Sequence, residues 1–174
     1  MSESAILNAL GTLLIWSFAT APLTVYGAHS NATWQPVGKA TLSVLFWDIY
    51  TAELYNDSSR FNGIVAPLKL SLTYHRAIDR QRLASETCEQ FKQLGHTSTE
   101  DLRWCQALES VFPDVSPDDQ LTVILNEASG SLWFNDELQA QWRDTTMVSK
   151  FLSIWLSPKS SYPKQVEQLT NTKN

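Results

Sequence analysis

The sequence has 174 residues, a length that sets one domain as the starting expectation. Hydrophobic residues make up 43% and charged residues 18%, too apolar and too lightly charged for a disordered chain, and six Gly with seven Pro exclude a collagen-like or low-complexity protein. The formal charge of −5 comes without a block of like charges, so the basic face of a nucleic-acid binder is missing and no nucleic-acid partner is expected.

The chain opens on a charge-poor segment. No Lys or Arg precedes Lys39, and no charged residue falls between Ser4 and Ala28. The run Ala5 to Phe18 has the length of a signal-peptide h-region, and Pro22 breaks it. Val25-Tyr26-Gly27 fits a small-residue cleavage site, with the cut after Gly27; a cut after Ala21 would leave Pro22 in an unfavourable position. The reading is an export signal over residues 1–27, a single domain over 28–174, and a periplasmic or otherwise exported location. An uncleaved membrane anchor and a buried core helix stay open, because the positive n-region is missing. In the anchor reading, this segment is the chain's one route to a membrane.

Asn31 to Trp34 reads as an irregular lead-in. Thr41 to Tyr55 reads as strand material, rich in β-branched and aromatic residues. Leu42, Val44, Phe46, Tyr50, Ala52 and Leu54 share one parity, and so does Asp48, which marks a bulge, a turn or a carboxylate facing a pocket. Asn56 to Ser59 is a turn cluster. Leu68, Leu70, Leu72 and Tyr74 alternate with polar residues and give the cleanest strand. Asp79 is placed to cap a helix with the stripe Leu83, Thr87, Phe91 and Leu94, ended by Gly95. Thr99 caps a second helix whose apolar face is Leu102, Cys105, Leu108 and Phe112, with Pro113 at its end; the two helices form an antiparallel hairpin. Strands follow at Leu121 to Leu125, Leu132 to Phe134 and Leu138 to Trp142, separated by turns at Ser129-Gly130 and Asn135-Asp136. Asp144 or Thr145 caps a third helix with Phe151 and Trp155 on its face, Pro158 closes it, and Pro163 starts a short tail helix to Leu169. Strands and helices do not alternate, so the fold class is α+β with an antiparallel sheet.

Two cysteines, Cys88 and Cys105, sit on the core faces of the helical hairpin at matching distances from its turn. A disulfide between them is geometrically reasonable in an exported protein; two buried free thiols are the other reading. The three histidines are widely separated, with no zinc-type or EF-hand spacing, and no glycine-rich phosphate loop is present. No metal and no cofactor are expected.

Two places are candidates for chemistry. One is Tyr50 and Tyr55 with Lys39 and Asp48, where a phenol can hold an anion or orient a water. Ordinary sheet packing is the plainer reading of each residue. The other is Tyr74-His75-Arg76 with Asp79, Arg80 and Arg82, where a strand hands over to a helix N-terminus that can attract an anion. A solvated, salt-bridged connection is the plainer reading there.

Three stretches, VGKATLSVLFWDIYTAELY, LKLSLTYHRAIDRQRLASETCEQFKQLG and FLSIWLSPKSSYPKQVEQL, together resemble the chalcone isomerase-like family, in particular its bacterial exported branch. The resemblance covers roughly Trp34 to Leu169. It implies an open-faced β-sandwich, an antiparallel sheet with a helical layer on one face. It also implies either a cofactor-free cyclisation of a chalcone or, in members without that activity, fatty-acid binding in the same cleft. The catalytic pattern departs at four positions. Tyr50 stands where the family places a Thr, and Lys39 is the nearest cation to the family's Arg. Thr87 stands for the Asn of a Glu-Asn-Cys pattern, and Arg80 or Gln81 falls where a Tyr is expected. An ammonium is no equal of a planar guanidinium.

The leading expectation is therefore a non-catalytic exported domain that binds a small amphipathic ligand such as a fatty acid between sheet and helices. Lys39, Tyr50 and Thr87 would line the polar end, with no catalytic residue assigned. Two alternatives stand beside it. One is an isomerase or intramolecular lyase in which Tyr50 orients water and Lys39 stabilises an oxyanion. The other is an envelope interaction module with a filled cleft.

Overall fold

The computed structural model describes residues 33–171. The reading of residues 1–27 as an export signal lies outside the described residues. Six strands form one antiparallel sheet in sequence order: β1 (Gln35–Val44), β2 (Trp47–Asn56), β3 (Leu68–Tyr74), β4 (Gln120–Leu125), β5 (Gly130–Phe134) and β6 (Glu137–Trp142). Four helices accompany it: α1 (Arg80–Gln93), α2 (Thr99–Val111), α3 (Thr145–Leu156) and α4 (Pro163–Thr170). This is the α+β class expected from the sequence. No described helix is long and apolar enough to cross a membrane.

Register places the core on one face of the sheet. Leu54 pairs with Leu70, Leu70 with Val123 and Val123 with Leu132, a buried row across four strands. Each such side chain contributes about 1.5–3 kcal/mol through burial. Leu83 and Phe91 of α1, Leu108 of α2, Phe151 and Leu152 of α3 and Leu169 of α4 close over this face. The helix α4 lies on β1 and β2, while α3 reaches β4 and touches α1 and α4. Gly38 lets α4 come that close: a β-carbon there would collide with the backbone carbonyls of Gln168 and Leu169.

Local chemistry explains the helix boundaries. The Asp79 carboxylate accepts from the Arg82 amide, and the Asp144 carboxylate accepts from the amides of Thr146 and Met147, so Asp144 rather than Thr145 caps α3. The cap of α2 is Ser98, one residue before the expected Thr99. Ser98 and Asp101 hydrogen-bond reciprocally in a capping box, which offers two bonds where Thr99 would offer one. This frame leaves Leu102 on the wet side of α2 and turns Asp101 inward.

The segment Thr41 to Tyr55 is a hairpin rather than one strand. Val44 pairs with Trp47 across a two-residue turn at Leu45-Phe46, and the register slips between Leu42 and Ser43. The parity conflict at Asp48 came from that bulge and turn. Asp48 is exposed and accepts a hydrogen bond from the Ser43 hydroxyl at 2.6 Å.

The hairpin α1–α2 is stapled by a disulfide between Cys88 and Cys105, whose Cα atoms stand 5.6 Å apart.

Candidate functional site

At the helix-covered end of β2, Tyr50 pairs in register with Tyr74 on β3, and the two rings meet edge-on with centroids 5.9 Å apart. Both side chains follow the parity of Ala52 and Leu54, so they point under the helices. The indole Nε1 of Trp155 on α3 donates to the Tyr50 hydroxyl oxygen at 2.9 Å. The Gln165 amide of α4 and the Tyr162 phenol just before that helix act on the same hydroxyl.

Burial pushes the Tyr50 phenol well above its ordinary value; the Trp155 and Gln165 contacts pull it down less strongly, and Tyr162 adds to the rise. Tyr74 is raised by burial and then by Tyr50. Both phenols therefore stay protonated at physiological pH. Gln165 is 6% exposed, and its Nε2 lies close enough to the Tyr50 hydroxyl to act on it but makes no well-formed hydrogen bond among the described residues. A buried amide donor without a well-formed bond costs about 1–3 kcal/mol. The Tyr50 hydroxyl accepts from Trp155 and keeps its own proton to give away. Two polar groups thus converge where the sheet meets α3 and α4.

Of the three residues proposed as ligand contacts, Lys39 stands apart from Tyr50. Lys39 lies on the opposite sheet face from Tyr50, is 65% exposed at its side chain, and pairs with Glu53 at 2.9 Å. It borders an open hollow of about 250 Å³ with Pro36, Val37 and Tyr55. Lys69 stacks over the Tyr55 ring nearby, 4.3 Å from its centroid. Lys39 and Tyr50 do not meet, so the paired cation and phenol of an oxyanion site is not formed. Thr87 is half-buried on the inward side of α1, between Ala84 and Phe91, and is not among the groups that touch the Tyr50 hydroxyl.

Asp79, Arg80 and His75 in the strand-to-helix connection after Tyr74 have partners within the chain. Asp79 caps α1, Arg80 pairs with Asp114 at 3.2 Å, and His75 bonds the Thr51 hydroxyl at 2.8 Å. This is the solvated, salt-bridged connection of the plainer reading.

A second polar cluster lies beneath the α1–α2 turn. Asp101 is 3% exposed and receives the Lys150 ammonium at 2.6 Å. Lys150, ahead of the Ser98 contacts, holds its carboxyl below the usual range. His96 contacts the Ser153 hydroxyl at 3.2 Å, while Ser153 donates to the Lys150 carbonyl. With its proton committed to a carbonyl, Ser153 is not arranged as a nucleophile, and the cluster reads as a buried clamp between α2 and α3. No cluster of potential metal ligands occurs among the described residues.

The sequence offered no signal for Gln165 and Trp155 as Tyr50 partners, because both come from helices over a hundred positions downstream. Asp101 was recoverable: Ser98-x-x-Asp101 is a capping-box spacing.

This sheet with helices on one face is a chalcone isomerase-like α+β fold. The chain superposes on the crystal structure of a fatty-acid binding protein of Arabidopsis thaliana with a TM-score of 0.58, covering 79% of this chain and 87% of that one at 10% identity. That likeness shows the fold. An uncharacterized protein of Haemophilus influenzae is 28% identical over 153 residues, which is 88% of this chain and 76% of that protein. No family model matches the chain.

Proposed function

We propose that the protein is an exported, non-catalytic binder of a small amphipathic, lipid-like ligand, seated between the sheet and the helices. The observation that carries this reading is the pair of polar groups at one buried point, the Tyr50 hydroxyl and the Gln165 amide, whose Nε2 makes no well-formed hydrogen bond. An oxygen acceptor from a ligand would satisfy both. The groups that act on the Tyr50 hydroxyl are uncharged. A carboxylate without a counter-charge is costly to bury, so the head group fits best as a neutral acceptor: a protonated fatty acid, an ester or another carbonyl. The surrounding aromatic and aliphatic side chains suit an alkyl tail. Thr87, half-buried on α1, stands as a further lining residue, and Lys39 would serve only a ligand that reaches the far sheet face. A fatty-acid binding protein with the same fold supports the choice of ligand class.

Native mass spectrometry tests the reading. Protein purified from its host, or incubated with palmitic acid, is expected to carry one lipid-sized adduct per chain. A bare mass under both conditions would overturn it.

A further inference from the structure

The tip of the β1–β2 hairpin is the most exposed apolar feature among the described residues. Phe46 is 96% exposed, Leu45 87%, Trp47 60% and Val44 46%, and none of them joins the core cluster. Leu45 occupies the first position of the two-residue turn with φ of +57°. Turns of this length favour glycine, asparagine or aspartate at such positions, because a β-carbon is crowded in the left-handed region. Leucine there incurs both backbone strain and an apolar side chain left in water. Neither helps the fold, so the selection of these residues points outside the molecule. Beside them, the Arg76 guanidinium lies over the Trp47 ring at 4.6 Å and has no ion-pair partner among the described residues.

We propose that Val44–Trp47 is a membrane-docking finger: Leu45 and Phe46 enter the acyl region of a phospholipid surface, while Trp47 and Arg76 sit at head-group level. The tip is convex and narrow. With its aromatic pair at roughly 150–250 Å² each, it stays below the ~800 Å² per partner of a stable protein interface. A bilayer needs no matching groove, and it rewards inserted apolar area directly. Aromatic rings and cations are the groups that settle at the head-group boundary, and the free Arg76 is complementary to lipid phosphate. Tyr50 lies three residues along β2, about 10 Å from Trp47 at strand spacing, so docking would bring that end of the sheet to the lipid. The docking itself does not depend on a ligand being bound at Tyr50.

The test is co-sedimentation of the full-length protein with vesicles of phosphatidylethanolamine and phosphatidylglycerol, comparing wild type with L45G/F46N. Gly-Asn suits the turn, so the variant should keep or raise its melting temperature while its vesicle partitioning falls about tenfold or more. Bromine-labelled acyl chains should quench a component of the wild-type tryptophan fluorescence that W47F lacks. R76Q should weaken partitioning several-fold and reduce its dependence on phosphatidylglycerol. Equal partitioning of wild type and L45G/F46N, or no partitioning by either, would overturn the proposal. So would a dimer that L45G/F46N abolishes without any change in vesicle binding, which would assign the tip to a second copy. Palmitic acid binding by L45G/F46N is expected to match wild type, which separates failure of the finger from failure of the ligand site.

Discussion

Tyr50 takes its role from position more than from chemistry. It lies one register step beyond the last aliphatic row of the sheet, so its ring is covered while its hydroxyl meets α3 and α4. Asp101 is the other side chain whose setting decides its behaviour. Its folded-state pKa is lowered by Lys150, so the stabilisation is present above the ordinary value of 3.8 and is lost as pH falls through the folded value. His96 is lowered by burial first, with Lys150 adding to it and Asp101 opposing. The folded state favours neutral imidazole, so its contribution is present above 6.5 and declines as pH falls below that value. Thermal melts should therefore be level from pH 7 to 9, decline gently below 6.5 and decline more steeply below about 4. Lys150→Met should cost about 2–3 kcal/mol in chemical denaturation, less than the ~3–5 of a fully buried pair because the ammonium keeps some solvent. It should also blunt the steep acid limb. A loss below 0.5 kcal/mol with an unchanged limb would contradict the clamp. At this scale the inward facing of Tyr50 was legible from strand parity. Gln165 was not, since an amide in a short amphipathic helix carries no sign of the group it will face.

The helical hairpin α1–α2 was legible as an element because its Asp79 cap, its Gly95 stop and the placement of its cysteines all agree, although the α2 cap is Ser98 and not Thr99. The disulfide closes a separation of 17 residues. Cys88→Ser with Cys105→Ser should lower stability by about 3 kcal/mol, measured by denaturant unfolding without reductant. An unchanged midpoint would show that the staple constrains nothing the core does not already hold. The β1–β2 hairpin was legible only as the parity conflict at Asp48, for the converse reason. Val44-Leu45-Phe46-Trp47 contains none of the glycine, asparagine or proline that marks a turn, and its hydrophobic run continues the strand pattern unbroken. The turn broke a local rule at the place where an external contact is proposed. Leu102 misled in a similar way: the helical stripe was correct, but the capping box at Ser98 and Asp101 fixed a rotation that leaves it outside.

For the whole molecule, the order of strands, hairpin, strands and helices was enough to set an antiparallel α+β fold, because local connections leave few topologies open. Which helix covers which strands was not readable. That depends on close approaches such as Gly38 beneath α4, where the absence of a β-carbon is the whole signal. The layering puts α4 over β1 and β2 and thereby brings Gln165 to Tyr50, while strand alternation puts Lys39 on the far face. The central claim, a lipid-like ligand held at this junction, is tested most directly by equilibrium titration of palmitic acid into wild type and Tyr50→Phe. Saturable one-to-one binding by wild type, weakened up to about tenfold by loss of the hydroxyl, is the predicted result. No saturable binding, or equal affinity in the two proteins, would contradict it.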